Sequence, residues 1–199
     1  MKTTQFRLIF VCVGNRNRSP FSQFVFSKMI RERDKDLAGV VDVTSAGFVP
    51  QEFKVALARW HVPFPEPFFG RPIAGTTRAG LRERGIEVPP DWKTRELTPL
   101  MVDGADLIVT ALPIQKAELS MVYPEAARKI ASIREVAAWD KYLFTEDLHA
   151  VPRANTHDEN YWDYVEENPE YIARTLAETE EMLVLAYPRI LERLLAKRP

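Results

Sequence analysis

The most informative segment of this sequence is VCVGNRNRSP, at residues 11–20. It contains the only cysteine of the chain, Cys12. An apolar segment, Phe6 to Val11, precedes the cysteine and predicts a buried strand. Apolar residues at helical spacing follow it and predict a helix over 19–33, with Ser19 as the N-cap. The thiol is therefore expected at the end of a strand, before a short loop that leads into a helix.

A loop in this position can bind an anion and place a nucleophilic cysteine next to it. Free backbone amides and the positive end of the helix dipole attract a dianion, and the same field favours the thiolate form of Cys12. Arg18 lies six residues after the cysteine, so its planar guanidinium can return across the loop to hold two phosphoryl oxygens. Gly14 lets the backbone approach the ligand closely. A lone cysteine at a strand end is usually a small buried hydrophobe, but the residues that follow Cys12 favour the functional interpretation.

Cys12, five further residues and Arg18-Ser19-Pro20 form a pattern that resembles the low-molecular-weight protein tyrosine phosphatases. Their signature is C-x-G-N-x-C-R-S-P, and this chain departs from it only at Asn17, which replaces the second cysteine. Looser similarity continues at Thr44 to Gly47 and at Asp106 to Thr110. The resemblance implies an α/β fold, a three-layer sandwich with a four-stranded parallel sheet.

Composition and length limit the other possibilities. The 199 residues predict one domain, 1–199, with a proline- and aromatic-rich insertion near 48–72 and an irregular region near 144–168. A net charge of −1 gives no electrostatic reason to expect nucleic-acid binding. One cysteine excludes internal disulfides and cysteine-rich zinc sites, and no metal or cofactor is expected. Neither a signal peptide nor a membrane-spanning apolar stretch is found, so a cytoplasmic protein with no membrane partner is expected.

Strands and helices alternate along the sequence, which predicts a parallel sheet with helices on both faces. Strands are predicted at 6–12, 40–44, 106–111 and 128–133, and helices at 19–33, 54–60, 76–84, 99–103, 113–122, 135–142 and from 168 onward. Pro188 is expected to kink or break the last helix. Ligands of open parallel sheets bind beyond the carboxyl ends of the strands, where the cysteine loop is expected.

The predicted reaction is hydrolysis of a phosphate monoester in two steps, through a cysteinyl-phosphate on Cys12. The phosphate would be held by the loop residues Val13, Gly14, Asn15, Arg16, Asn17, Arg18 and Ser19. Ser19 is expected to donate a hydrogen bond to the thiolate. By resemblance, Asn15 and Ser45 support the loop, although Asn15 also suits a turn with a left-handed backbone.

The general acid is less clearly marked in the sequence. The family uses an aspartate in an Asp-Pro pair, and this chain has no Asp-Pro. Asp163 best fits the distance to the final helix, Asp158 is the second candidate, and His157 is a weaker third. The family often has a histidine three positions before an arginine, where this chain has Trp92 before Arg95. The hydrogen bond of that histidine is expected to be altered or lost.

Three functions are compatible with this pattern. The first is a phosphatase that acts on a phosphorylated protein, on phosphotyrosine above all, or on a small phosphate monoester. The second is a catalytically weak or inactive module that binds phosphorylated ligands, which the missing Asp-Pro favours. The third is an arsenate reductase, which would need an external thiol because the chain has one cysteine. Specificity for phosphoarginine is disfavoured, since that subgroup has threonine where Val13 stands.

Overall fold

The computed structural model of the chain describes residues 5–139, 162, 165 and 168–196. Four strands form one parallel sheet in the order β2-β1-β3-β4. Their bounds are Phe6–Cys12 for β1, Val41–Gly47 for β2, Leu107–Thr110 for β3 and Ile130–Ser132 for β4. This is the four-stranded parallel α/β fold that the sequence predicts, with strands in the four expected places.

Helices cover both faces of the sheet. The longer ones are α1 (Arg18–Arg33), α2 (Gln51–Arg59), α3 (Gly75–Glu83), α4 (Pro99–Gly104), α5 (Pro113–Val122), α6 (Ile133–Ala137) and α7 (Pro169–Leu195), and 3-10 turns lie at Lys35–Leu37 and Pro124–Lys129. Along β1, Leu8 and Phe10 enter one core cluster, and Ile9 and Val11 enter another. Because side chains alternate across a strand, the central strand contributes to both cores of a three-layer sandwich.

The first core contains buried residues of α1, α3, α6 and α7, and the second contains residues of α4 and α5. Among the described residues, no helix combines the length and the apolar character that crossing a membrane requires. α7, for example, has 27 residues but an amphipathic pattern, with buried positions such as Ile172, Leu183 and Ile190 on one face.

The start of α1 differs from the prediction. The helix begins at Arg18, and the first helical bond runs from the amide of Phe21 to the carbonyl of Asn17, at 3.0 Å. Ser19 is therefore not the N-cap; it lies inside the first turn, where its side chain is free to bond elsewhere. Asn17 takes the cap position, but its side chain makes no capping hydrogen bond within the described residues.

Pro188 was expected to kink or break the last helix, and the structure shows that it does not break it. α7 runs through it from Pro169 to Leu195. Proline removes the hydrogen bond to the carbonyl four residues earlier, which belongs to Val184. Pro188 and Val184 are both exposed, so water can satisfy that carbonyl, while buried residues before and after Pro188 hold the helix on the core.

The helix predicted at 135–142 is shorter and begins earlier. Ser132 caps α6 by accepting a hydrogen bond from the amide of Glu135, and Ala138 ends it in a left-handed conformation with φ of 50°. Trp139, directly after this turn, is buried and so holds the chain against the core where it leaves the helix. Residues 140–142 lie outside the described residues.

Candidate active site

Cys12 is the last residue of β1, which lies between β2 and β3. It pairs in register with Gly47 of β2, and its carbonyl accepts a hydrogen bond from the amide of Phe48 at 2.8 Å. On the other side, the amide of Ala111 donates to the carbonyl of Val11 at 2.7 Å. The loop after Cys12 thus leaves the sheet where neighbouring strands diverge to either side, which is where open parallel sheets bind ligands.

The hydroxyl of Ser19 contacts the thiol directly. Its Oγ lies 3.0 Å from the Sγ of Cys12 and 3.2 Å from the carbonyl oxygen of Ala46, and it accepts a hydrogen bond from Nδ2 of Asn15 at 2.9 Å. Because a hydroxyl has one hydrogen, it can donate to the sulfur or to the carbonyl but not fully to both. A charged sulfur is a stronger acceptor than a carbonyl oxygen, so the hydroxyl would donate to Cys12 when the sulfur is a thiolate.

Asn15 connects the loop to two distant segments. It is fully buried and has a left-handed backbone with φ of 55°. Its Nδ2 also donates to Oγ of Ser45 at 2.9 Å, and its Oδ1 accepts from the amide of Arg95 at 3.0 Å. Asn15 is therefore both a left-handed turn residue and the centre of a hydrogen-bond network, and the structure brings Asn15, Ser19 and Ser45 together around Cys12.

Gln23 belongs to the same network, although the sequence analysis did not select it. The hydroxyl of Ser45 donates to Oε1 of Gln23 at 2.7 Å. Gln23 lies four residues after Ser19 on α1, so the two share a helix face. The four-residue spacing could have identified Gln23, because a polar residue on the same helix face as Ser19 can contact the groups that support the loop.

Arg18 is partly buried at the N-terminus of α1. In the described part of the chain, its Nη1 is buried and has no hydrogen-bond partner. A buried guanidinium donor without an acceptor is unfavourable by itself, and a phosphoryl oxygen is an acceptor that matches it in charge and geometry. Among the described residues, no group therefore uses the hydrogen-bonding capacity of Nη1 of Arg18.

The side chain of Arg16, unlike Nη1 of Arg18, has a hydrogen-bond partner among the described residues. It is 8% exposed, and its Nη1 donates to the carbonyl of Pro72 at 3.2 Å. The carbonyl of Arg16 accepts from the amide of Ala74 at 3.3 Å. Arg16 therefore fastens the loop to the segment before α3.

Asn17 bridges three segments through its side chain. Its Oδ1 accepts from Oγ1 of Thr77 on α3 at 2.5 Å, and its Nδ2 donates to the carbonyl of Val165 at 3.2 Å. Thr77 is fully buried. The residue that replaces the second signature cysteine thus links the loop to α3 and to the chain that precedes α7.

The candidate general acids, Asp163 and Asp158, lie outside the described residues, as does His157. Trp92, in place of the family's histidine, is buried in the first core and packs near Phe24, with ring centroids 6.3 Å apart. Its indole nitrogen is buried and has no partner within residues 5–139, 162, 165 and 168–196. Arg95 supplies its backbone amide to Oδ1 of Asn15.

An apolar cluster lies against the loop on the side of residues 48–72. Val13 is buried there with Phe53, Leu57 and Val62. Aromatic side chains that pack on this cluster are partly exposed; they include Trp60, Phe64, Phe68 and Trp162. The residue next to the nucleophile therefore has an apolar surrounding, while Asn15 and Ser19 have a polar one.

The sequence matches no family model and no curated protein. It does resemble solved structures over nearly its full length. YfkJ from Bacillus subtilis has a TM-score of 0.66 at 18% identity and covers 100% of both chains. The YwlE arginine phosphatase from Geobacillus stearothermophilus has a TM-score of 0.64 at 19% identity and covers 98% of both chains.

SP-PTP, the low-molecular-weight protein tyrosine phosphatase from Streptococcus pyogenes, has a TM-score of 0.58 at 18% identity, with 97% of this chain and 95% of that chain covered. The fold is thus the one found in low-molecular-weight phosphatases, and the fold that the cysteine motif predicts is confirmed. At this level of identity the similarity concerns the fold alone.

Proposed function

We propose that this protein is a cysteine-dependent phosphatase that hydrolyses phosphate monoesters, with phosphotyrosine in proteins as its substrate. The observation that carries the proposal is the hydroxyl of Ser19, 3.0 Å from the thiol of Cys12 and itself held by Asn15. A buried structural cysteine has no need of a fixed hydrogen-bond donor, whereas a sulfur that acts as nucleophile and leaving group does. Nη1 of Arg18 has no hydrogen-bond partner within the described residues, and this capacity and the similarity in fold to phosphatases support the same function.

In the first step, the loop amides of residues 13–19 and the guanidinium of Arg18 hold the phosphoryl oxygens. Sγ of Cys12 attacks phosphorus, an S–P bond forms, and the P–O bond to the leaving group breaks. The leaving oxygen takes a proton from a carboxylic acid, for which Asp163 is the first candidate and Asp158 the second. Fixed donors around the three equatorial oxygens stabilise the charge that moves onto them in the transition state.

In the second step, water attacks phosphorus and gives a proton to the same carboxylate. The S–P bond breaks, inorganic phosphate forms, and Cys12 leaves as a thiolate. The hydrogen bond from Ser19 makes the sulfur a better leaving group, while Asn15 and Ser45 keep that hydroxyl in place. The cycle returns each residue to its starting protonation state.

The surroundings of Val13 support an aryl phosphate ester over phosphoarginine. Val13 is 8% exposed and packs with Phe53 and Leu57. A phenyl ring loses little by entering such an apolar surrounding, whereas a guanidinium group loses hydration that aliphatic side chains such as Val13 and Leu57 do not replace. Since structures of similar fold include both a tyrosine and an arginine phosphatase, substrate preference needs a direct measurement.

The test is hydrolysis of p-nitrophenyl phosphate by the wild-type protein and by single variants. Cys12→Ser is expected to lower kcat by at least about a thousandfold, because no S–P bond can form. Of Asp163→Asn and Asp158→Asn, the one that removes the general acid is expected to lower kcat by roughly a hundredfold, and the other serves as its matched control. Equal hydrolysis of phosphotyrosine and phosphoarginine peptides would contradict the proposed substrate.

A module that binds phosphorylated ligands without turnover is the second candidate, because the chain has no Asp-Pro pair. It predicts that the wild-type protein binds vanadate or phosphate, that Arg18→Ala abolishes this binding, and that no aryl phosphate is hydrolysed. Wild-type turnover that Cys12→Ser removes would decide against it.

A further inference from the structure

Four aromatic side chains form a connected series that begins beside the candidate active site. We call Phe69, Phe68, Phe64 and Trp162 the aromatic ridge. The ring of Phe68 lies 5.0 Å from that of Phe69, 5.1 Å from that of Phe64 and 5.3 Å from that of Trp162, measured between centroids. Phe64 and Trp162 close the group at 5.5 Å. Edge-to-face and tilted contacts at these distances are favourable, so the four rings hold one another in place.

The inner end of the ridge lies against the strand partner of the nucleophile. Gly47 pairs with Cys12, and a Cβ built at Gly47 would lie 3.0 Å from Cζ of Phe69 and 2.7 Å from the carbonyl oxygen of Val13. Only a residue without a side chain allows the Phe69 ring and the loop to approach β2 so closely. The ridge is therefore continuous with the loop that follows Cys12.

The outer end of the ridge is anchored from two directions. The indole nitrogen of Trp162 donates to the carbonyl of Pro63 at 2.6 Å, and its ring packs 6.2 Å from the ring of Phe53, which is buried. All four ridge side chains are nevertheless partly exposed. Rigid, partly exposed aromatic rings are typical of surfaces that bind a partner, because they lose little conformational entropy when the partner binds.

We propose that the aromatic ridge determines substrate specificity by binding one large apolar side chain of a phosphorylated peptide, near the phosphorylated residue. This rests on the proposed function, because the phosphorylated residue must lie in the Cys12 loop for the ridge to be within reach. From Phe69 to Trp162 the ridge spans two ring-to-ring steps, of 5.0 and 5.3 Å. An extended peptide advances about 3.3 Å per residue, so the ridge is at most about three residues long, and the second and third positions from the phosphorylated residue are the ones to test.

The experiment compares two sets of phosphotyrosine peptides that differ at one position. One set has tryptophan, leucine or alanine two or three residues before the phosphotyrosine, and the other has them after it. For the wild-type protein, kcat/KM is expected to be on the order of tenfold higher for tryptophan or leucine than for alanine in one of the sets, which corresponds to burial of one apolar side chain. Phe68→Ala is expected to remove that preference, and Phe68→Leu to keep part of it.

Trp60→Ala is the matched control, since Trp60 packs on the same apolar cluster but is not part of the ridge. It is expected to keep the peptide preference. Hydrolysis of p-nitrophenyl phosphate is expected to stay within about twofold of wild type in every one of these variants, which shows that they fold. A wild-type protein that hydrolyses all peptides equally, or a Phe68→Ala variant that keeps the preference, would overturn the proposal.

The two proposals fail in different ways. If the wild-type protein hydrolyses no aryl phosphate, the proposed catalysis fails, and the same peptides are then titrated against it for binding; a preference in Kd that Phe68→Ala removes still supports the ridge. Absence of any preference in Kd overturns it. So does a stable dimer that Phe68→Ala dissociates, because the ridge would then bind a second copy of this chain rather than a substrate.

Discussion

The amide of Asn15 makes three hydrogen bonds, to Ser19, Ser45 and the backbone of Arg95. Each partner comes from a different part of the sequence, and the residue is fully buried. No other side chain type offers two donors and an acceptor at this size while tolerating a left-handed backbone. We therefore expect Asn15 to determine both the shape of the loop and the direction of the Ser19 hydroxyl.

Asn15→Ala is predicted to destabilise the protein by about 2–4 kcal/mol, because it leaves buried groups without partners and places alanine at φ of 55°. Asn15→Gly removes the same hydrogen bonds without the backbone strain, so it should be about 1 kcal/mol more stable than the alanine variant. Urea unfolding measures both values, and p-nitrophenyl phosphate hydrolysis should be impaired in both. Full activity in the glycine variant would show that the network does not orient Ser19.

The sequence predicted the local part of this arrangement and missed the distant part. Cys12, Arg18 and Ser19 are close in sequence, so a strand, a loop and a helix suffice to bring them together. Gln23 and the Val165 contact of Asn17 depend on how β2 and the chain before α7 pack, which residue spacing does not determine. Ser19 was also misassigned as a cap, since its hydroxyl bonds the sulfur rather than a helical amide.

At the scale of elements, the end of β2 is fitted closely to the loop. Gly47 lies between Phe69 and the carbonyl of Val13, and it also continues the pairing of β2 toward Glu96. Gly47→Ala is predicted to destabilise the protein by about 1–3 kcal/mol and to lower phosphatase activity, because backbone atoms at the site must move to accept a methyl group.

Gly39→Ala is the control for this prediction. A Cβ at Gly39 meets no described atom within 4 Å, so its substitution should change stability by less than about 0.5 kcal/mol. Thermal unfolding and aryl phosphate hydrolysis measure the difference between the two variants. Equal effects would mean that Phe69 and Val13 are not packed against β2 as described.

The elements themselves were largely predictable, because their patterns are local. Continuous apolar runs such as 107–110 indicate strands buried on both faces, and the structure places strands there. Whether Pro188 breaks the helix was not predictable from its identity, since that depends on which face of the helix loses a hydrogen bond. That face is exposed here, and only the packing of α7 on the core reveals it.

At the scale of the whole molecule, the chain has one thiol, Cys12, and hence no second sulfur that could protect it by an internal disulfide. Peroxide is predicted to oxidise Cys12 past the sulfenic acid, so that reactivation by dithiothreitol declines steadily with exposure time. Mass spectrometry of the Cys12 peptide should show sulfinic and sulfonic acids accumulating in parallel.

Inorganic phosphate added before peroxide is the control for that experiment, because an anion held in the loop should shield the sulfur. Complete recovery of activity by dithiothreitol after prolonged exposure would contradict the prediction, as would oxidation at the same rate with and without phosphate.

The hydrogen bond between Asn15 and the backbone of Arg95 joins residues that are far apart in the sequence, which has a consequence for folding during synthesis. When only the first few dozen residues have left the ribosome, Cys12, the proposed nucleophile, is already present, but the Arg95 segment that holds Asn15 has not been synthesised. We therefore expect the proposed activity to appear only after the segment around Arg95 has folded against the loop. Incomplete chains that lack this segment are expected neither to bind nor to hydrolyse phosphorylated molecules.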